Sequence, residues 1–444
     1  MNAKIDYPMS VTNTLKTEIY TMAFNPQEYV INPGKDFTRK RKLDFANVLL
    51  FLIIMGNSNT DYELVKYFDF KAERIPGKSA LIQQRAKLKT DSLLHLMKSF
   101  NKNYPLGIYK GKYNLIAVDG CEFNIYRNPN DPDTYYEPSE KTTLGYNMIH
   151  TIPLYDIISK RYLDIEFQPS RKKNEFHAYC NLVDRYEKTE QTAVFIADRG
   201  FASYNCFAHT INSGHKFVIR AKDVNVKRYL KIDSLPDYLD TETNLILTRS
   251  NSKKKRLHPE KSEDYRYVCK AVTFDFIDDS HPEYELNLRI VRFDLENENF
   301  ENIITNLSPD ECSAEELKEL YWMRWKIETS FRDLKHTIGT ENFHSKSVNF
   351  VSQEILALMI LFNFSTTIIS MAVVEKGNRG NRKHQYQVNF SMAMKLCIGY
   401  LQAGGNGCDI ISLMTKFILP IRENRIYARQ HRFHPPVSLN YKFI

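Results

Sequence analysis

The sequence predicts an α/β protein built on a mixed β-sheet, with a helical region before the sheet and a β-rich insertion within it. Three observations support this fold class. Helical patterns fill residues 1–105, apolar strand-like runs and a helical pattern follow over 106–222, and residues 223–300 combine strand-like runs with long polar connections. Several strands, a helix and a further strand in that order are typical of a mixed sheet with helices on its faces.

The composition is that of a globular protein, and it permits nucleic-acid binding without requiring it. Of the 444 residues, 43% are hydrophobic and 26% are charged, which allows several domains with cores of their own. The 61 Lys and Arg residues exceed the 53 Asp and Glu residues, for a net charge of +8. An excess of this size is compatible with a polyanionic partner.

Cysteine and hydropathy patterns favour a cytoplasmic protein. The seven cysteines include no CxxC pair and no Cys/His cluster with zinc spacing, as expected in a reducing compartment. The N-terminus lacks the apolar core of a signal peptide. The apolar run 355–374 is long enough to span a membrane. Because Asn363 and three hydroxyl residues at 365–367 interrupt it, we expect a buried core helix and no membrane partner.

The N-terminal region, residues 1–105, is predicted to be helical, and its role is open between two interpretations. Helical patterns cover residues 37–56, 59–70 and 77–100. Polar residues of the third pattern include Gln83, Gln84, Arg85, Lys87 and Lys89. Two short helices joined by a Gly-containing turn are compatible with a helix-turn-helix in which Arg85 and Lys87 contact DNA. A helical bundle with a basic exposed face explains the same pattern.

Two apolar runs of the predicted core each end in an aspartate. KYNLIAVDG leads into Asp119, and TAVFIADRGF leads into Asp198. Further strand patterns cover 148–156, 160–169 and 215–222, and a helical pattern covers 174–188. Functional groups gather at the carboxyl ends of strands in such sheets, so we expect both aspartates at one edge. For either aspartate alone, simple capping of a strand end is the alternative.

The remaining regions divide into an insertion, a second part of the core and a C-terminal region. Residues 223–300 show no strong helical pattern and carry a basic loop, Lys253 to Arg256, which is either solvated or in contact with DNA. Residues 301–376 return to the core with two helical patterns, and residues 377–444 form a basic C-terminal region. The sequence has no GxxxxGK(S/T) phosphate loop, so an NTP-driven machine is not supported.

The segment 313–336 predicts a long amphipathic helix with charges beside its apolar face. Ser313 and Glu316 form a capping-box pattern. The apolar residues at helical spacing are Leu317, Leu320, Ile327, Phe331 and Leu334. At about 100° per residue, Tyr321, Arg324, Glu328 and Lys335 fall roughly 20–80° from Phe331. Because a charge placed there needs a partner, either a buried ion pair or a site that handles metal and phosphate would explain the pattern.

Asp119, Asp198 and Glu328 together indicate a divalent-metal site. A helix packed across the sheet could bring the glutamate to the two strand-end aspartates. Converging carboxylates repel one another unless cations neutralise them, and hard oxygen ligands favour Mg²⁺ or Mn²⁺. Two such ions about 4 Å apart would activate an attacking oxygen and stabilise a leaving oxygen in phosphodiester displacement.

The same residues carry a resemblance to a known family. Tyr321, Arg324, Glu328 and Lys335 fit Y-x2-R-x3-E-x6-K, which resembles the signature of the IS-four family of bacterial DDE transposases. VDG around Asp119 and ADRGF around Asp198 resemble that family's first and second acidic motifs. The resemblance runs from roughly residue 37 to residue 375.

The resemblance implies an RNase-H-like catalytic core in which Asp119, Asp198 and Glu328 bind two Mg²⁺ or Mn²⁺ ions. It also implies that Tyr321, Arg324 and Lys335 contact phosphates at the transposon end. The expected activity is cleavage of double-stranded DNA at terminal inverted repeats and strand transfer into target DNA, by a homodimer in a paired-end complex on the bacterial nucleoid. A catalytically silent DNA-binding protein of transposase descent and a nuclease without strand transfer remain alternatives.

Overall fold

The computed structural model describes residues 3–140, 144–252, 256–294, 300–338, 343–372, 386–405 and 408–421. The helices are α1 Ala3–Phe24, α2 Phe45–Ile54, α3 Thr60–Tyr67, α4 Lys78–Arg85, α5 Asp91–Lys102, α6 Glu175–Asp184, α7 Tyr204–Asn212, α8 Asp223–Leu230, α9 Ala314–Met323, α10 Trp325–Arg332, α11 Val348–Ile369, α12 Phe390–Gln402 and α13 Ile410–Met414. The strands are β1 Tyr113–Val118, β2 Cys121–Ile125, β3 Tyr135–Tyr136, β4 Tyr146–Asp156, β5 Arg161–Pro169, β6 Thr192–Ala197, β7 Lys216–Ala221, β8 Leu239–Thr248, β9 Tyr265–Tyr267, β10 Glu283–Asp294, β11 Phe300–Thr305, β12 Tyr386–Val388 and β13 Ile418–Pro420.

Five strands form the core of the sheet in the spatial order β5, β4, β1, β6, β7. β1, β6 and β7 run parallel, whereas β4 is antiparallel to both β1 and β5. This is the RNase-H-like arrangement, so the predicted mixed α/β fold is confirmed. All six residues of β1 are buried, as expected for a strand with helices on both faces of its sheet.

A break at Asp119 and Gly120 separates β1 from β2. Both strands pair with the same side of β4 and in one register, because Val118 lies opposite Leu154 and Cys121 lies opposite Thr151. The part of β4 that faces the break contains Pro153, which has no N–H group to donate. The break therefore turns Asp119 out of the ladder at the edge of the sheet.

The β-rich stretch is present, but its strands continue the core sheet. β11 pairs with β7, β10 pairs with β11, and β8 pairs with β10. The stretch also begins with a helix, α8, where the sequence pattern showed no strong helix. Of the predicted basic loop, only Arg256 lies within the described residues, and its guanidinium stacks on the ring of Tyr265.

The N-terminal helices pack against the second part of the core through α11. The segment predicted as one helix at 77–100 forms two, α4 and α5, because the chain between them turns so that Leu88 pairs with Val30. α11 is long and apolar enough to cross a membrane by length and composition, yet 78% of its most apolar stretch is buried inside the structure. The prediction of a buried core helix at 355–374 is confirmed for the residues that α11 covers.

Candidate active site

The two strand-end aspartates lie side by side at one edge of the sheet. In the parallel pair of β1 and β6, Val118 lies opposite Ala197. Asp119 and Asp198 are the next residues of these strands and thus leave the sheet together. The backbone N–H of Gly120 donates to Asp119 Oδ1 at 2.9 Å, and the backbone N–H of Arg199 donates to Asp198 Oδ1 at 2.6 Å. These bonds hold each carboxylate close to its own turn.

The helix predicted at 313–336 starts as expected but is divided into three parts. Ser313 and Glu316 form the capping box that begins α9. At Arg324 the hydrogen bonds tighten to a three-residue spacing, with Arg324 N donating to Tyr321 O and Ile327 N donating to Arg324 O. α10 follows, and Asp333–Ile338 forms a π-helical turn, a distortion found often at functional sites.

Three side chains of this helical segment reach the aspartate pair. The Arg324 guanidinium donates to Asp119 Oδ2 at 2.6 Å and to Glu328 Oε1 at 3.1 Å. The Tyr321 hydroxyl donates to Asp198 Oδ1 at 3.3 Å. The structure thus brings Asp119, Asp198, Glu328, Arg324 and Tyr321 into one contact network.

The electrostatics of this network leave negative charge incompletely balanced. Arg324 is only 3% exposed, so its ion pairs lie where water screens them little. Burial raises the pKa of Asp119 from 3.8 to about 6; Arg324 opposes this shift, while Glu328 and Asp198 add to it. Arg324 therefore only partly offsets the burial of Asp119 and its repulsion by the two neighbouring carboxylates.

A divalent cation fits this donor set. Asp119, Asp198 and Glu328 offer the carboxylate oxygens that Mg²⁺ and Mn²⁺ prefer, and the raised pKa of Asp119 shows that more positive charge would stabilise its ionised form. Within the described ranges, no three His, Cys, Asp or Glu side chains are already arranged to hold a metal ion together. Because Arg324 bridges Asp119 and Glu328, ion binding would require it to give up at least one of these contacts.

Lys335 lies beyond the break between β1 and β2. Its ammonium group donates to the carbonyl oxygen of Glu122 at 2.8 Å and lies 5.0 Å from the centre of the Phe123 ring. The π-helical turn thus directs Lys335 toward β2, two to four residues past Asp119. It flanks the carboxylates but makes no ion pair with them in the described structure.

Sequence reasoning missed Arg220 and Glu301 at the same edge. Ala197 lies opposite Ile219 in the parallel pair of β6 and β7, so Arg220 follows beside Asp198. Its guanidinium is 3.3 Å from Glu301 Oε1, and the Glu301 side chain is only 7% exposed. Burial raises the pKa of Glu301, and Arg220 opposes that shift. The run HKFVIRAK could have pointed to Arg220, since it also ends an apolar strand.

The two N-terminal residues predicted to contact DNA lie in different environments. Arg85 is 3% exposed, and its guanidinium contacts Glu354, Gln353 and the carbonyl of Phe350 on α11. It is therefore part of the core, where a phosphate could not reach it. Lys87 instead lines a cleft of about 750 Å³ whose cations are Lys35, Arg39, Arg41, Lys42 and Lys87. This basic cleft is bounded by α4 and the segment 34–43.

Comparison with known proteins identifies the family. Residues 110–364 match the family model described as the transposase DDE domain. A search of curated proteins finds no match. A solved structure of the piggyBac transposase synaptic complex with hairpin DNA has a TM-score of 0.43 and 11% identity, over 91% of this chain and 81% of that chain. The family match covers more than half of the sequence and contains both aspartates and the whole of α9 and α10, and the chain therefore belongs to the transposase DDE domain family.

Proposed function

We propose that this protein is a DNA transposase of the IS-four type, which cleaves DNA at transposon ends and joins the freed ends to target DNA with the help of Mg²⁺ or Mn²⁺. One observation carries the proposal. Asp119 and Asp198 leave adjacent parallel strands at one edge, and Arg324 links Asp119 to Glu328 from the helix packed across that edge. Asp198 joins them through the Tyr321 hydroxyl of the same helical segment, and three carboxylates at one edge supply the kind of donor set that a two-metal phosphoryl-transfer site uses.

In the proposed reaction, Asp119, Asp198 and Glu328 hold the metal ions. When bound, two such ions activate the attacking oxygen and stabilise the leaving oxygen of an in-line phosphodiester displacement. Each aspartate accepts a backbone hydrogen bond from its own turn, whereas Glu328 lies partly exposed on α10 and contacts Arg324.

Arg324, Tyr321 and Lys335 would contact phosphates of the DNA end. A guanidinium binds two phosphate oxygens at once, an ammonium group acts as a point charge, and a phenol donates a single hydrogen bond. Arg324 would exchange its contacts with Asp119 and Glu328 for a phosphate when ions take over the neutralisation of those carboxylates. Arg220, next to Asp198, supplies a further cation at this edge.

The proposed partners are double-stranded DNA and a second copy of the chain. The basic cleft near Lys87 carries five cations and no acidic lining residue among the described residues, which suits a phosphate backbone. A homodimer in a paired-end complex would bring two ends to two such sites. A cytoplasmic location on the bacterial nucleoid would follow from this function.

The test uses purified full-length protein with labelled terminal inverted repeats and a target plasmid, with Mg²⁺ or Mn²⁺ present. We expect nicking at the transposon ends and covalent joining of the labelled 3′-OH end to the plasmid. Nicking without joining would identify a nuclease instead. Binding of the repeats without any cleavage would identify a silent DNA-binding protein.

A further inference from the structure

A fourth carboxylate, Glu175, reaches the edge that carries Asp119 and Asp198. It is the first residue of α6, which packs on the opposite face of the sheet from α10: α6 shares a core with Val118, whereas α10 shares one with Ala117. Glu175 thus approaches the two turns from one side, while Glu328 approaches from the other. Neither the acidic motifs nor the Y-R-E-K pattern includes it.

The glycines that follow the two aspartates make room for this one side chain. A Cβ atom at Gly120 would lie 3.0 Å from Glu175 Oε1 and 2.8 Å from His150 Cε1. A Cβ atom at Gly200 would lie 3.6 Å from Glu175 Oε2. A side chain at either glycine would therefore meet an oxygen of Glu175, so one oxygen lies beside the Asp119–Gly120 turn and the other beside the Asp198–Gly200 turn.

Buried and capped groups fix Glu175 in this position. The imidazole of His150 is 2% exposed, and its Nε2 lies 3.1 Å from Glu175 Oε1. Asn174 caps α6 by accepting from the N–H of His177 at 3.1 Å, and its own backbone exchanges hydrogen bonds of 2.8 and 3.1 Å with the side chain of Gln168 on β5. The residue before Glu175 is thus tied to β5, and Glu175 itself contacts His150 on β4.

We propose that Glu175, held by His150, is a positioning residue that braces the two turns and so sets the spacing of Asp119 and Asp198 for metal binding. The inference rests on the proposed function, since it concerns the same metal site. In this role the size and length of the Glu175 side chain matter, and its charge does not. Groups that orient metal ligands typically contribute about 10- to 100-fold to metal affinity.

The test measures Mn²⁺ binding to the full-length, DNA-free protein by electron paramagnetic resonance of the free ion. Glu175→Ala should weaken binding about tenfold or more, because nothing then fills the space between the turns. Glu175→Gln should retain affinity within roughly threefold, because it keeps the size of the side chain and a contact with His150. Equal losses in both variants would contradict bracing, since they would mean that the charge itself binds the ion.

Glu311→Ala is the matched control, because Glu311 is also a half-buried carboxylate and forms an ion pair with Lys216. Lys216 is the first residue of β7, so this pair lies at the opposite end of the strand from the proposed metal site. It should bind Mn²⁺ as the wild type does. If Glu175→Ala does not fold, Glu175→Asp replaces it. The shorter aspartate keeps the charge but lies farther from both glycines, so this variant should also bind Mn²⁺ more weakly than the wild type. Wild-type affinity in the Glu175→Ala or Glu175→Asp protein would overturn the bracing role alone, whereas a wild type that binds no Mn²⁺ would overturn the proposed function with it.

Discussion

Arg324 combines the two roles that the sequence left open for the charges beside the apolar face. Its buried guanidinium forms an ion pair with the partly exposed Glu328 on its own helical segment, and it contacts Asp119 across the sheet edge. The ion pair that stabilises the DNA-free protein is therefore formed by residues of the proposed functional site. The guanidinium compensates carboxylates that would otherwise repel one another.

Replacing Arg324 should make the protein more dependent on divalent metal. Arg324→Ala removes the cation between Asp119 and Glu328, and because both carboxylates are partly exposed we expect a loss of stability on the order of 1–3 kcal/mol without metal. Added Mg²⁺ should then raise the melting temperature more in the variant than in the wild type. Lys326→Ala, an exposed change on α10, is the control for calorimetry. An identical Mg²⁺ effect in Arg324→Ala and wild type would contradict the exchange of cations.

Substitutions at Arg85 and Lys87 should have different effects, the first on protein stability and the second on DNA binding. Arg85→Ala leaves Glu354 buried without its guanidinium partner, so it should destabilise the protein by about 3–5 kcal/mol in urea unfolding. Lys87→Ala should leave stability nearly unchanged, weaken DNA binding and reduce the salt dependence of binding by about one ion. Lys102→Ala, away from the basic cleft, is the control for DNA binding. Equal DNA affinity in Lys87→Ala and the control would remove the cleft from the proposed interface.

Sequence reasoning found the residues that end apolar runs or follow helical spacing, and it missed those that long-range packing brings in. Asp119, Asp198 and Glu328 fall in the first group. Glu175 and His150 belong to the second group, because only the packing of α6 against the sheet places them beside Gly120. A surface role for Arg85 was predicted from local charge, and its partner Glu354 is far away in the sequence.

At the scale of elements, strand prediction succeeded for runs of six or more residues that are mostly buried or carry several apolar residues. The predicted apolar runs correspond to five strands of the structure: β1, β4, β5, β6 and β7. Shorter or polar elements were not predicted, among them β2, whose residues alternate between buried and half-buried. Helix α1 lies within the region 1–105 that was predicted to be helical, but no individual helical pattern was assigned to it. The segment 313–336 is divided at Arg324, and the contact of Arg324 with Asp119 could not be read from helical spacing alone.

The stability of an ion-pair network between α7, the end of α6 and the loop before β10 should depend on pH. His209 Nδ1 lies 2.9 Å from Asp184 Oδ1, and its Nε2 lies 3.0 Å from Asp275 Oδ2 in that loop. The Cys180 thiol, followed by Asp184 and Asp275, raises the pKa of His209 from 6.5 to about 10, although burial opposes the shift. A raised histidine pKa stabilises the fold fully below 6.5, and this stabilisation is lost as the pH rises through about 10.

His209→Gln should therefore destabilise the protein at neutral pH and have little effect at high pH. The expected loss at pH 7 is on the order of 1–3 kcal/mol, since charge-assisted hydrogen bonds are replaced by neutral ones. Urea unfolding at several pH values from neutrality to above pH 10 measures the difference from wild type. A difference that stays constant over this range would show that protonation of His209 does not hold the loop.

At the scale of the whole molecule, α11 joins the N-terminal helices to the sheet. The Asn363 side chain accepts from the N–H of Tyr162 at 2.8 Å and donates to the Tyr162 carbonyl at 2.7 Å and to Asn101 Oδ1 at 3.1 Å. Tyr162 lies on β5 and Asn101 on α5. The polar residue that interrupts the apolar run is thus the point where three parts of the chain meet.

Asn363→Leu should test this junction. The substitution leaves the buried N–H of Tyr162 without its acceptor, whereas the Tyr162 carbonyl keeps its hydrogen bond from Asn101, so we expect a loss of about 1–3 kcal/mol in urea unfolding. Asn130→Leu, at an exposed turn, is the control and should change stability little. Wild-type stability in Asn363→Leu would mean that these hydrogen bonds contribute nothing to joining the helical region to the sheet.

The central claim is that Asp119, Asp198 and Glu328 form one metal-dependent site for DNA cleavage. The most direct test is cleavage of labelled terminal inverted repeats by wild type, Asp119→Ala, Asp198→Ala, Glu328→Ala and the control Glu311→Ala, with Mn²⁺ and with a chelator. We predict cleavage by wild type and control in Mn²⁺ alone, and none by the three variants. Full cleavage by any of the three variants, or by wild type with chelator, would contradict the account.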